Sequence, residues 1–328
     1  MTTAVDRLAP GDHVCWAFRG DDERLTTMLD FVDAGLRAGE KVMCFTDGTA
    51  PRTLRSALAD RGVDVGTAGA LGRVAFHTAD DSYLATGRFD AEAMLDGWRG
   101  QLVRTRREGY PGLRVIADMA WAARSPRVDG TERLAWYEAQ AGRIFADGYA
   151  TVVCMYDQRL FADDRLRGIA AAHPATVSPR TADDWRPRLR LARTADPVGL
   201  RLTGEADRTC RDALEAVLAG LAEDLPADGP VTVDLGGLAF ADAGCAAALA
   251  RAAGALPYGM RVVGASAALR RLLGLVGAGA RGLTVPLGAG GDAPARRRGP
   301  RPLRSGRRSP ARPPARRARD GRSTACRA

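Results

Sequence analysis

The stretch VTVDLGGLAFADAGCAAALARAAG, residues 231–254, most constrains the fold: an apolar, β-branched run passes through a glycine pair and a carboxylate into a helix of small residues. Residues 231–235 fit a buried parallel strand, whose two covered faces make it read as continuous apolar sequence. Gly236 and Gly237 are expected to break that strand, and Asp242 stands where a helix N-cap belongs. Strand, tight loop and helix in succession imply an α/β layer architecture, and the first turn of such a helix offers free N–H groups to a ligand or partner.

Asp234, Leu235, Gly236, Phe240, Asp242 and the run 245–249 fall on a pattern that resembles the STAS domain of anti-anti-sigma factors. There a strand ends Asp-Leu-Ser and a helix starts at Asp-Ser-Ser/Thr-Gly-Leu. GLRLTGEAD (199–207) supplies a first strand, 210–224 a helix, MRVVGA (260–265) a strand and 268–279 a helix, so the resemblance spans 199–290. It implies a partner-binding surface at Asp234, Asp242, Ala243, Gly244 and Cys245, with an anti-sigma factor or related serine-kinase-type protein as the partner. In that family the second residue after the aspartate is often a phosphorylated serine or threonine. Here it is Gly244, preceded by Ala243, and neither has a hydroxyl. A switch that works by adding phosphate charge is therefore missing at this position. The plain alternative is that Gly244 only lets the backbone turn.

Residues 1–185 alternate apolar runs with helical patterns, the order of an α/β domain with a mainly parallel sheet. HVCWAF (13–18), KVMCFTD (41–47), LRVIADM (113–119) and ATVVCMYD (150–157) read as strands, and 21–38 as a helix. Asp118 and Asp157 close two of these strands, and side chains at the carboxyl ends of open α/β sheets line the binding crevice. Tyr156, Asp157, Gln158 and Arg159 form the most polar strand end, so ligand contacts are expected at Asp118, Tyr156, Asp157 and Arg159. His13 and Cys15, two apart on a strand, share a face and complete the expected ligand-binding set. Whether they hold a metal is left open, because His77, His173, Asp118 and Asp157, which would add ligands, come from distant segments. Trp16, Tyr83, Trp98, Trp121 and Trp136 are expected in the core.

The pieces GDHVC, AGLRAGEKVMCF, SYLATGRFD, LRVIADMAWA, CMYDQRLF and AAHP, in that order, resemble the MEDS sensory domain named from methanogens and methylotrophs. The resemblance implies a cytoplasmic input module, proposed to sense small organic molecules. The layout is also similar to RecA-like ATPases, but the first strand is followed by Arg19-Gly20-Asp21-Asp22-Glu23-Arg24 instead of a glycine-rich loop ending in lysine. Three carboxylates would repel a triphosphate, so no P-loop chemistry and no cofactor are expected. The expected fold is thus a RecA-like parallel α/β sensory domain without a P-loop (1–185), a linker (186–198), a smaller STAS-like α/β domain (199–290) and a disordered basic tail (291–328).

Charge supports that division. The tail holds thirteen arginines against two aspartates, so the preceding 290 residues are slightly acidic although the whole chain carries +9. Its Pro, Arg, Gly and Ala leave too little apolar surface to offset ordering entropy. The tail has no aromatic residue to stack on bases, so nucleic acid is expected only through phosphate contacts there. Six scattered cysteines without a Cys-x-x-Cys pair fit reduced thiols. No apolar run reaches the roughly 18 residues that span a bilayer, and the first residues do not form a secretory leader. The expected compartment is the cytoplasm. The composite expectation is a non-catalytic sensor coupled to a partner-binding module; its rival is a metal- or thiol-dependent hydrolase using His13 and Cys15.

Overall fold

The computed structural model describes residues 4–178, 181, 184–225, 228–277 and 282–285. The first sheet is built from β1 (His13–Phe18), α1 (Asp21–Arg37), β2 (Lys41–Thr46), α2 (Pro51–Asp60), α3 (Val65–Ala70), β3 (Val74–Thr78), α4 (Ala91–Arg107), β4 (Leu113–Asp118), α5 (Leu134–Phe145), β5 (Ala150–Asp157), α6 (Asp163–Ala171) and β6 (Ala175–Val177). Its order is β3-β2-β4-β5-β1-β6, with every pairing parallel. Strands β1, β4 and β5 are buried at every position because helices cover both faces. The two-residue period sorts β1 between them: Val14, Trp16 and Phe18 pack with Met28, Phe31 and Val32 of α1, while Cys15 packs on the side of α4 and α5.

The second sheet follows with β7 (Leu189–Ala195), β8 (Val198–Ala206), α7 (Arg211–Ala219), α8 (Leu221–Asp224), β9 (Val231–Ala241), α9 (Ala243–Ala255), β10 (Met260–Val263), α10 (Ala267–Val276) and β11 (Leu283–Thr284). Its order is β11-β10-β9-β8-β7, parallel except for the β7–β8 hairpin. The fold class is as expected, a parallel α/β domain joined to a smaller one. The expected tail, with Cys326, lies outside the described residues.

Two expectations are corrected. Residues 186–198 are not a linker: Leu189 and Leu191 flank Arg190, bury their side chains and make β7 the edge strand of the second sheet. Gly236 and Gly237 do not end their strand, since β9 runs unbroken to Ala241. A Cβ on Gly237 would sit 2.6 Å from Thr203 Cγ2, so glycine lets β8 and β9 stay paired where their register shifts.

Both sheets belong to one compact unit. Helix α5 packs against α7, with Ala139, Ala172 and Ala216 forming the small-residue seam. Beside it Arg143 grips Asp224 through Nε (2.7 Å) and Nη2 (2.9 Å), and Arg193 of β7 donates to the same carboxylate. The Arg193 amide also donates to the Ala146 carbonyl (2.8 Å), and Arg190 pairs with Asp12 (2.8 Å).

Candidate functional site

The sequence-predicted ligand residues fall into two groups on the first sheet. His13 and Tyr156 point into a wholly buried cluster on the α5 side, together with Glu138, Cys154 and His173. Glu138 is its centre. Its Oε1 accepts from the Tyr156 hydroxyl, and its Oε2 lies 3.3 Å from His13 Nε2, 3.4 Å from His173 Nε2 and 3.5 Å from Cys154 Sγ. His13 Nε2 is also 3.4 Å from Cys154 Sγ. The strands explain the meeting: His13 opens β1, Cys154 sits on the neighbouring β5, and α5 lays Glu138 across both.

Burial and charge set the chemistry. Burial alone would raise the Glu138 carboxyl, but the His173 and His13 rings outweigh it and hold the acid well below the usual carboxylate range. Burial, then repulsion from His173, lowers His13 to about 4. Burial, and then Glu138, pushes the Cys15 and Cys154 thiols and the Tyr156 phenol up. Cys15 shares the face of His13 as expected, but it faces Cys154 across the ladder and lies outside the four-residue set that converges. His77 is on β3, stacked on Phe45, and does not join.

The second group lies at the carboxyl edge. Asp118 accepts from the amides of Gly48 (2.9 Å) and Ala120 (3.1 Å), with Arg24 at 3.4 Å, and burial raises its carboxyl above the usual value. Asp157 is held by Arg159, which outweighs its burial and lowers it; Arg159 also bridges to Asp21 (2.7 Å). The first turn of α1, where a phosphate would sit in a nucleotide-binding sheet, instead carries Asp21, Asp22 and Glu23. This edge is an internally paired ion network. A cleft of about 590 Å3 lies elsewhere, between Pro174, Thr176, Trp185, Arg188, Glu205 and Thr209, and none of the expected ligand residues lines it.

On the second sheet Asp242 is the N-cap expected of it: Oδ1 accepts from the Cys245 amide (2.7 Å) and Oδ2 from Arg211 (3.0 Å). Ala243 is exposed and Gly244 half-buried beneath the Arg211 guanidinium; a Cβ on Gly244 would meet Arg211 Nη2 at 2.2 Å. Cys245 is corrected as a contact residue, because its side chain is fully buried in the core and its thiol is pushed up to about 12 by burial and Asp242. Asp234 pairs with Arg201 (3.0 Å) and caps the Gly236 amide (2.9 Å), eight residues up β9 from Asp242. A contact reaching both must run roughly 25 Å along the strand. The exposed Phe240 beside Asp242 joins the surface.

Residues 12–174 match the family described as the methanogen/methylotroph, DcmR sensory (MEDS) domain, and residues 189–285 match the Mlab, STAS domain family. The chain is a MEDS domain followed by a STAS domain. The buried cluster belongs to the MEDS domain, and the α9 edge to the STAS domain. Among solved structures, a KaiC-like protein of Pyrococcus horikoshii is similar at 14% identity, covering 59% of this chain and 78% of its own, with a TM-score of 0.39. The flagellar accessory protein FlaH of Methanocaldococcus jannaschii is similar at 10% identity over 57% and 78%, also at 0.39. No curated protein matches the chain. Among the described residues no helix is long and apolar enough to cross a membrane.

Proposed function

We propose that the chain is a non-catalytic cytoplasmic regulator in which the MEDS domain senses a small organic ligand and the STAS domain binds a protein partner, an anti-sigma factor or related serine-kinase-type protein. The observation that carries the reading is the α9 edge, where Phe240 and Ala243 are exposed on either side of the capped Asp242. An apolar side chain, a small residue and a helix N-terminus together make a surface that a partner helix or loop approaches closely. Gly244 has no hydroxyl and lies under Arg211, so control by phosphate at this position is replaced by control from the MEDS domain. The seam of Ala139, Ala172 and Ala216 is the route for it. Against a thiol hydrolase at His13 and Cys15 stands the burial of that thiol, which opposes formation of a thiolate.

The test is capture of a purified serine-kinase-type anti-sigma factor from the same genome by immobilised chain. The native chain retains it. Ala243→Arg, which puts bulk on an exposed position without touching the cap, reduces retention at least tenfold. Equal retention by Ala243→Arg removes the α9 edge as the docking surface.

A further inference from the structure

We propose that His13, Glu138, Cys154 and His173 form a tetrahedral zinc-type metal site buried between the MEDS sheet and α5. The ligand atoms of these four residues lie within 4.8 Å of one another, and all four side chains are buried. Zinc bonds of about 2.0–2.3 Å in tetrahedral geometry place ligand atoms about 3.3–3.7 Å apart. Four of the six separations already fall in that range: 3.3 Å and 3.4 Å from Glu138 to the two imidazoles, 3.4 Å from His13 to Cys154, and 3.5 Å from Cys154 to Glu138.

An unsatisfied buried atom points the same way. His173 Nδ1 lies 2.9 Å from the Ile169 carbonyl oxygen, so it is the nitrogen that carries the proton, and Nε2 turns its lone pair toward the centre. That Nε2 is buried and makes no hydrogen bond, although the Glu138 carboxylate is 3.4 Å away. With the proton on Nδ1, the Nε2 lone pair faces a carboxylate, a contact that a cation or a second proton between them relieves. The Tyr156 hydroxyl holds the other carboxylate oxygen and so aims Oε2 inward, as outer partners of metal ligands do.

Charge gives a third argument. One thiolate, one carboxylate and two neutral imidazoles neutralise a divalent ion, so the loaded site adds no net charge to a region without solvent. Mixed nitrogen, sulfur and oxygen ligands suit zinc better than magnesium or calcium, which take oxygen. Four protein ligands leave no position for water, the pattern of a structural site. Loading ties β1 and β5 to α5 and to the end of α6, the two elements that supply Ala139 and Ala172 to the seam with α7.

Elemental analysis of the full chain, purified from zinc-supplemented cells or refolded with zinc, tests the site, because a buried site loads as the protein folds. The expected result is about one zinc per chain, falling below about a tenth in Cys154→Ser and in His173→Gln and staying near one in Cys15→Ser. Cobalt(II) added on refolding gives a second readout: intense tetrahedral visible bands and a near-ultraviolet thiolate band, the latter lost in Cys154→Ser and kept in Cys15→Ser. Native chain that is folded by circular dichroism but holds less than about a tenth of an equivalent of metal and develops no cobalt chromophore overturns the site. So does loss of the thiolate band in Cys15→Ser. A variant that fails to fold leaves the decision to the native cobalt spectrum.

Discussion

Asp242 shows how much a single side chain sets on the STAS domain. It caps α9 and anchors Arg211 over Gly244. Asp242→Ala is expected to cost about 1 kcal/mol in urea unfolding, and Asp242→Asn less, since an amide oxygen still caps. Burial raises the Asp242 carboxyl, but the Cys245 amide and Arg211 overcome this and hold it below the usual carboxylate range. A depressed carboxyl contributes stability above about pH 4, the unfolded value, and that contribution disappears as pH falls through the folded value. The gap between native chain and Asp242→Asn should therefore narrow as pH falls below about 4. A gap that does not narrow on acidification below about pH 4 means the charge is not its source. The capping role was legible because an aspartate just before a small-residue helix is local information. Glu138 was not legible: it sits in α5, sixteen residues from Cys154 and thirty-five from His173, and only tertiary packing brings the three together. Trp136 was expected in the core and is exposed, lying under Arg133.

The strands whose apolar runs are continuous were placed by sequence alone: β1 and β5 have the expected bounds. Strands that depend on neighbours were not. Partly buried β7, which carries Arg190 and Arg193, read as linker because its composition is polar and a proline follows it. The glycines of β9 read as breakers because local propensity disfavours them in strands, whereas the close approach of β8 requires glycine at Gly237. Gly199 makes the same point more sharply, since a Cβ there would lie 1.8 Å from the Thr232 carbonyl oxygen. Gly199→Ala must push β8 off β9, and the expected loss is about 2–3 kcal/mol. A thermal midpoint unchanged from the native chain would show that the ladder yields at no cost.

At the scale of the whole molecule, the sequence separates two domains by composition, and the structure joins them by a seam whose parts come from three segments. Ala139, Ala172 and Ala216 let α5, the end of α6 and α7 approach closely, and Arg143 is the polar clamp on that contact. Its guanidinium spans both oxygens of Asp224 and also reaches Glu223 (2.6 Å), with most of its surface covered. Truncating it leaves Asp224 with Arg193 alone, and charge-assisted hydrogen bonds of this kind contribute about 2 kcal/mol. Each sheet keeps its own hydrophobic cluster, so the loss falls on the seam and not on either core. Calorimetry of the native chain is expected to show one transition, because two domains that share a clamp unfold together. Arg143→Ala should split it, with the STAS domain melting first, since its central helix α9 is built mostly of alanine and buries little surface per residue. Arg143→Lys keeps the charge but not the two-point grip, and should fall between the two. A single unshifted transition in Arg143→Ala would mean that the alanine seam alone couples the domains, and that the clamp sets only their angle.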